Sequence, residues 1–83
     1  MEHYRKELVA IDIETSGLLP GKDEIIELAA VRLREGVPVE EFQSLVKPRG
    51  EIPRVITRLT GLKGQDFREA PAIEEVLPRF LDF

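Results

Sequence analysis

Eighty-three residues, 42% of them hydrophobic and 34% charged, leave room for one small core and no second domain, because a domain commonly takes roughly 100 to 200 residues. The lack of cysteine excludes a disulfide-stapled scaffold and thiolate zinc sites, and makes a reducing, cytoplasmic address the expectation. A net charge of −4 excludes nucleic-acid binding by bulk attraction, and no apolar stretch approaches the ~20 residues that span a bilayer, so no membrane partner is expected.

In chain order, residues 1–7 (Met1-Glu2-His3-Tyr4-Arg5-Lys6-Glu7) are polar and read as a flexible N-terminal tail with His3 on its surface. Too few apolar residues follow for a secretory signal. Residues 8–13, short, β-branched and nearly continuously apolar, read as a central strand buried on both sides. Strand alternation puts Val9, Ile11 and Ile13 on one face and Ala10, Asp12 and Glu14 on the other. Gly17, Pro20 and Gly21 then break regular structure, so residues 15–23 are a loop.

Residues 24–35 fit two templates. Ile25, Leu28, Ala29 and Leu33 make a helical stripe ended by Gly36. Alternation fits as well, with Ile25, Glu27, Ala29, Val31 and Leu33 on one face and Ile26, Leu28 and Ala30 on the other. The Gly36-Val37-Pro38 break and the alternating run 39–46 make a hairpin natural, which favours the strand. Pro48, Gly50 and Pro53 mark a connection. A short helix follows, with Val55, Ile56 and Leu59 at helical spacing, Pro53 suited to its first turn and Gly61 to its C-terminal cap. A last helix from about residue 71 carries Ile73, Val76, Leu77, Phe80 and Leu81 on one stripe, kinked at Pro78.

Charge is uneven along this order. Residues 1–46 carry five Lys/Arg against ten Asp/Glu, whereas residues 47–63 carry Lys47, Arg49, Arg54, Arg58 and Lys63 against Glu51 alone. If those basic side chains share a face they suit a polyanion; otherwise they are a solvated surface.

Asp12 and Glu14 carry the strongest chemical signal. Residues two apart on a strand have Cα atoms roughly 6.5 to 7 Å apart and side chains on one face, so both carboxylates can converge on one hard cation. Mg²⁺ takes oxygen ligands and keeps company with carboxylates and substrate phosphates. The Thr15-Ser16-Gly17 turn that follows offers small residues past which a phosphate or sugar can approach closely. The competing expectation is an acid pair solvated at a strand end.

Asp12-Ile13-Glu14-Thr15-Ser16-Gly17-Leu18 resembles the first motif of the DEDD 3′ to 5′ exonuclease superfamily, the group that includes the proofreading epsilon subunit of bacterial DNA polymerase III. Asp23-Glu24-Ile25-Ile26-Glu27-Leu28-Ala29-Ala30-Val31 resembles the family's second strand, and residues 42–48 its third. Residues 52–62, ending Leu59-Thr60-Gly61-Leu62, and residues 70–81 resemble the helical segments that come next. The resemblance covers residues 8–83 and favours strand for 24–35.

It implies an α/β, ribonuclease H-like exonuclease fold, here its N-terminal half, with three antiparallel strands followed by helices. It also implies that Asp12 and Glu14 are catalytic and bind Mg²⁺ or Mn²⁺, two ions in the complete family site, for in-line hydrolysis of the terminal phosphodiester. By the same matching, Thr15, Ser16, Gly17 and Leu18 lie along the terminal nucleotide with Leu59 and Thr60 nearby. Core packing is the alternative for Leu18, Leu19 and Leu59, and a helix-end role the alternative for Thr60. The implied partners are single-stranded or 3′-frayed DNA, with RNA-trimming relatives in the same superfamily, and a polymerase or helicase.

The family's second and third acidic motifs and its general base have no counterpart in these 83 residues, so the chain alone is expected to show little or no nuclease activity. Loss of a neighbour beside residues 8–13 is expected to expose an edge that promotes self-association. A haloacid-dehalogenase-type phosphatase also sets two acids two residues apart, but its second is usually Asp. A receiver domain needs a helix where Gly17, Pro20 and Gly21 stand. A non-catalytic docking module is the rival of a different class.

Overall fold

The computed structural model describes residues 7–83. The elements are β1 (Glu7–Thr15), β2 (Ile25–Arg34), β3 (Val37–Leu45), α1 (Arg54–Thr60), α2 (Gly64–Arg68) and α3 (Ile73–Asp82). The three strands form one antiparallel sheet in the order β1-β2-β3. Segment 24–35 is thus strand, because its apolar residues are used on two faces. The tail expected over residues 1–7 lies outside the described residues except Glu7, which opens β1 and accepts a 2.6 Å hydrogen bond from Arg34 Nη2.

The hairpin turns on Glu35 and Gly36, at φ 52° and 82°. Two consecutive positive φ values are what a two-residue turn matched to the twist of the strands demands. The turn therefore comes just before Val37-Pro38, and Pro38 lies within β3.

The expectation of a central, doubly buried β1 is corrected. β1 is an edge strand, exposed along its whole length, and β2 is the central one. Leu8, Val9, Ile11 and Ile13 remain 44–59% exposed, because among the described residues nothing pairs with the outer edge of β1 or covers its Val9-Ile11-Ile13 face. The apolar run reports what the strand is built to bury rather than what buries it here.

A second correction concerns β2. Its pairing with β1 steps from Glu14↔Glu27 to Thr15↔Ile25, so Ile26 is an extra, bulged residue. The simple alternation of Ile25 against Ile26 fails at this point. Ile25 packs with Leu28, Val46 and Val76 in the core, joined by Phe42, Ile73 and Phe80, while Ile26 turns to a hollow beside Glu14 and Phe67.

The Phe42 ring lies 6.0 Å from that of Phe80 and 6.1 Å from that of Phe83, which fastens α3 to the sheet. The Arg32 guanidinium lies 4.7 Å over Phe83 and its Nε is 3.2 Å from Glu40. Pro78 stands inside α3 as expected. Pro53 precedes α1, and Gly61 ends it at φ 74°, donating to the Thr57 carbonyl. No helix among the described residues is long and apolar enough to cross a membrane.

Candidate active site

Asp12 and Glu14 both lie on β1, on the face that carries Ala29 and Glu27 of the neighbouring strand. Both are exposed, and no described residue donates a hydrogen bond or an ion pair to either carboxylate. Their spacing and shared face are those of a pair open to a cation. Glu27 stands directly opposite Glu14, yet its carboxylate is taken by Gln43 Nε2 at 2.6 Å. Among the described residues no group of three or more acidic, histidine or cysteine side chains is placed to hold a metal. The acid pair is therefore an open donor set and not a closed cage.

Glu14 and Thr15 share a small hollow of about 100 Å³ with Leu59 and Thr60, walled by Ile26, Leu45, Ile56, Leu62 and Phe67. The bulge at Ile26 and the burial of Phe67, 1% exposed, bring α1 and α2 to the end of the sheet where the acids stand. Asp12 lies outside this hollow, one pleat along the same face. Gly17 and Leu18 line a second, open hollow with Thr15, Leu19 and Asp23. Of the residues expected around a terminal nucleotide, Thr15, Gly17, Leu18, Leu59 and Thr60 line two hollows that share Thr15, whereas Ser16 lines neither and is engaged inside the loop.

The loop between β1 and β2 is organised by Asp23, a residue to which sequence reasoning gave no role. Its carboxylate accepts from Ser16 Oγ at 3.1 Å and from the Leu19 amide at 2.9 Å. Ser16 Oγ in turn accepts from the Glu24 amide at 2.9 Å, and Thr15 Oγ1 donates to the Gly17 carbonyl at 2.7 Å. A Cβ on Gly17 would come within 2.5 Å of the Asp23 carboxylate, so close approach dictates glycine there. The Thr15 and Ser16 hydroxyls hold the loop.

Leu18 is 95% exposed, Leu59 78% and Leu19 57%, so core packing is corrected for all three: the wrap around Asp23 and the short α1 turn them to solvent. Thr60 Oγ1 donates to the Ile56 carbonyl at 2.8 Å and accepts from the Leu62 amide at 3.2 Å, a helix-end role carried out at the mouth of the Glu14 hollow.

Glu24 is a further residue that the sequence did not single out. Its carboxylate accepts the amides of Arg49 and Gly50, each at 2.9 Å, and these bonds hold it below the ordinary 4.5. A depressed folded value means stabilisation that is complete above the unfolded pKa and is lost as pH falls through the folded one. The wild-type melting temperature should therefore fall more steeply than that of Glu24→Gln between about pH 5 and pH 3. Parallel calorimetric profiles would show that this carboxylate contributes nothing.

Comparison with known proteins agrees with the fold. A family model named RNase T and described as exonuclease matches residues 9–83. A PolC-type DNA polymerase III of Caldanaerobacter subterraneus subsp. tengcongensis is 47% identical over 77 residues, 93% of this chain but 6% of that protein. The DNA polymerase III subunit epsilon of Aquifex aeolicus is 47% identical over 75 residues, 90% of this chain and 37% of its own length. Among solved structures, a full-length 3′-exonuclease superposes with a TM-score of 0.80 at 25% identity, over 95% of this chain and 29% of that one. The nuclease domain of 3′hExo, a DEDDh family member bound to rAMP, gives 0.79 at 26%, over 95% and 44%. The three antiparallel strands and following helices are thus the N-terminal part of a ribonuclease H-like exonuclease fold. The chain spans less than half the length of each of these proteins.

Proposed function

The chain belongs to the exonuclease family, and on that premise we propose that Asp12 and Glu14 form part of a metal-dependent 3′ to 5′ exonuclease site acting on a single-stranded or frayed 3′ DNA end. One observation carries the reading: two carboxylates with no partner among the described residues share a strand face, Glu14 at a largely apolar hollow and Asp12 one pleat from it. Their hard oxygen donors fit Mg²⁺ or Mn²⁺, ions that accept carboxylate and phosphate oxygens together. Such ions supply an activated water and charge stabilisation at the departing 3′ oxygen.

The chain's own residues do the rest. Asp12 and Glu14 concentrate negative charge where a cation must sit beside a phosphodiester. The exposed Leu18 and Leu59 side chains offer apolar surface to the terminal base from two sides, and the loop backbone at Thr15 to Gly17 meets its sugar. Gln43 keeps Glu27 engaged, which leaves Glu14 as the free carboxylate of that cross-strand pair. The polymerase relatives support a replicative polymerase as partner and a cytoplasmic location. A second reading, a non-catalytic docking module, draws on the lack, among the described residues, of three acidic, histidine or cysteine side chains placed to hold one metal.

The two readings separate in a chimera in which residues 9–83 replace the aligned segment of the Aquifex epsilon subunit. With millimolar Mn²⁺ the chimera should shorten a 5′-labelled, 3′-tailed oligonucleotide one nucleotide at a time, whereas the 83-residue chain alone should leave it intact over hours. A folded chimera that leaves the oligonucleotide untouched contradicts the exonuclease reading.

The open edge of β1 leads to a separate expectation. A long strand edge with apolar side chains on both faces is a template for pairing with another chain, so sedimentation should reveal concentration-dependent self-association. Ile11→Lys, which places a charge mid-edge, should shift the species to monomer. A wild-type chain that stays monomeric at high concentration would contradict this.

A further inference from the structure

Seven of the described residues are arginines, and they divide into two groups. Arg32, Arg34 and Arg49 each lie within 4 Å of a carboxylate, and Arg79 lies 5.9 Å over the Phe42 ring. Arg54, Arg58 and Arg68 have no carboxylate within that distance among the described residues. Two of these three, Arg54 at the start of α1 and Arg68 at the end of α2, line one open hollow of about 410 Å³. Helix polarity does not account for Arg54, since a cation in a first helical turn faces the unfavourable end of the dipole. Two exposed cations that line one concavity with no carboxylate within 4 Å among the described residues provide for an anion.

The hollow is also built with a fixed floor. Pro48 and Gly50 form part of it, and the backbone there is pinned by Glu24, whose carboxylate takes the Arg49 and Gly50 amides. Gly64 lines the hollow too, and a Cβ there would lie 3.0 Å from Arg68 Nη1, so the guanidinium lies back over the first residue of its own helix. Glu51 lines the hollow as well. It is the one acid there against two arginines, and it leaves the balance positive.

The neighbourhood selects the anion. Phe67 lines both this hollow and the one that holds Glu14, so the two adjoin at this buried residue. A strand whose 3′ end sits at Glu14 carries its next phosphates outward from that point. Two planar guanidiniums suit phosphate oxygens better than any other common anion. We propose that the Arg54–Arg68 hollow is a backbone-phosphate subsite for the single strand whose 3′ end lies at Glu14. It rests on the exonuclease reading and adds the place where the strand is gripped away from the reacting bond. It also reconciles a net charge of −4 with nucleic-acid binding, because attraction is local and set apart from the acidic strands.

The test is fluorescence anisotropy of the 83-residue chain with a labelled single-stranded oligodeoxynucleotide, in chelator and over a series of salt concentrations. Without metal the acid pair contributes no attraction, so the readout belongs to the phosphate contacts. Arg54→Gln with Arg68→Gln should weaken binding by about tenfold at low salt and flatten the log–log salt dependence by about 1.4, since each neutralised phosphate on a single strand adds roughly 0.7 to the slope. Arg54→Lys with Arg68→Lys should keep most of the slope, and Arg34→Gln, far along the sheet, should bind like wild type. Both target side chains are exposed, and circular dichroism verifies that the variants stay folded. Equal affinity and slope in the double glutamine variant, or no binding by the wild type, overturns the subsite. The chimera assay reads the nuclease proposal without reference to these arginines, so the two can fail separately.

Discussion

Phe67→Ala is expected to cost about 3 to 5 kcal/mol, the range for removing a buried aromatic ring. Phe67 is 1% exposed and is the only buried residue of α2. That helix has five residues, too few to be stable without its anchor. Natural domains retain only about 5 to 15 kcal/mol of net stability, and a chain of this size sits low in that range. Urea unfolding should show the variant largely unfolded or far down its transition in buffer. The same ring walls the hollow at Glu14, so binding should fall with stability. Leu59→Ala provides the contrast: at 78% exposure it should change stability by less than about 0.5 kcal/mol while weakening trimming by the chimera. A Phe67→Ala chain as stable as wild type would show that α2 is not anchored through this residue.

The second large effect concerns Asp12. In the chimera, Asp12→Ala should reduce Mn²⁺-dependent trimming by at least about 10²- to 10³-fold, the scale on which electrostatic groups at a developing charge act. The Asp12 side chain is exposed and makes no described hydrogen bond or ion pair, so the melting temperature should move little. Glu14→Gln, which keeps the shape and removes the charge, should behave alike. Activity that survives either change would place the metal-binding chemistry elsewhere.

Several of these features could be read before any coordinates. The acid pair follows from the strict two-residue period of a strand, which holds along β1 through Glu14. Pro53 and Gly61 bracket α1 because ring closure and a missing Cβ act locally. The hairpin over β2 and β3 came from alternation on both sides of a glycine. The missed features depend on distant partners. A five-residue helix has no period to detect, so α2 left no trace beyond the apolar Phe67. The bulge at Ile26 arises from pairing with β1 and has no local signature, yet it decides that Ile26, not Ile25, faces Glu14. The roles of Asp23 and Glu24 lie in carboxylates meeting backbone amides, in the case of Glu24 amides 25 and 26 residues away. Burial misled for β1 because an apolar side chain states a preference and not its surroundings.

The central claim is that Asp12 and Glu14 together grip a divalent cation. Nuclear magnetic resonance of the isotopically labelled chain during titration with Mn²⁺ tests it most directly, since relaxation by the ion falls off steeply with distance. The account predicts selective loss of the amide signals around Asp12 and Glu14 at millimolar Mn²⁺, abolished by Asp12→Ala. Broadening centred on other acids, or none on β1 at any concentration short of precipitation, would contradict it.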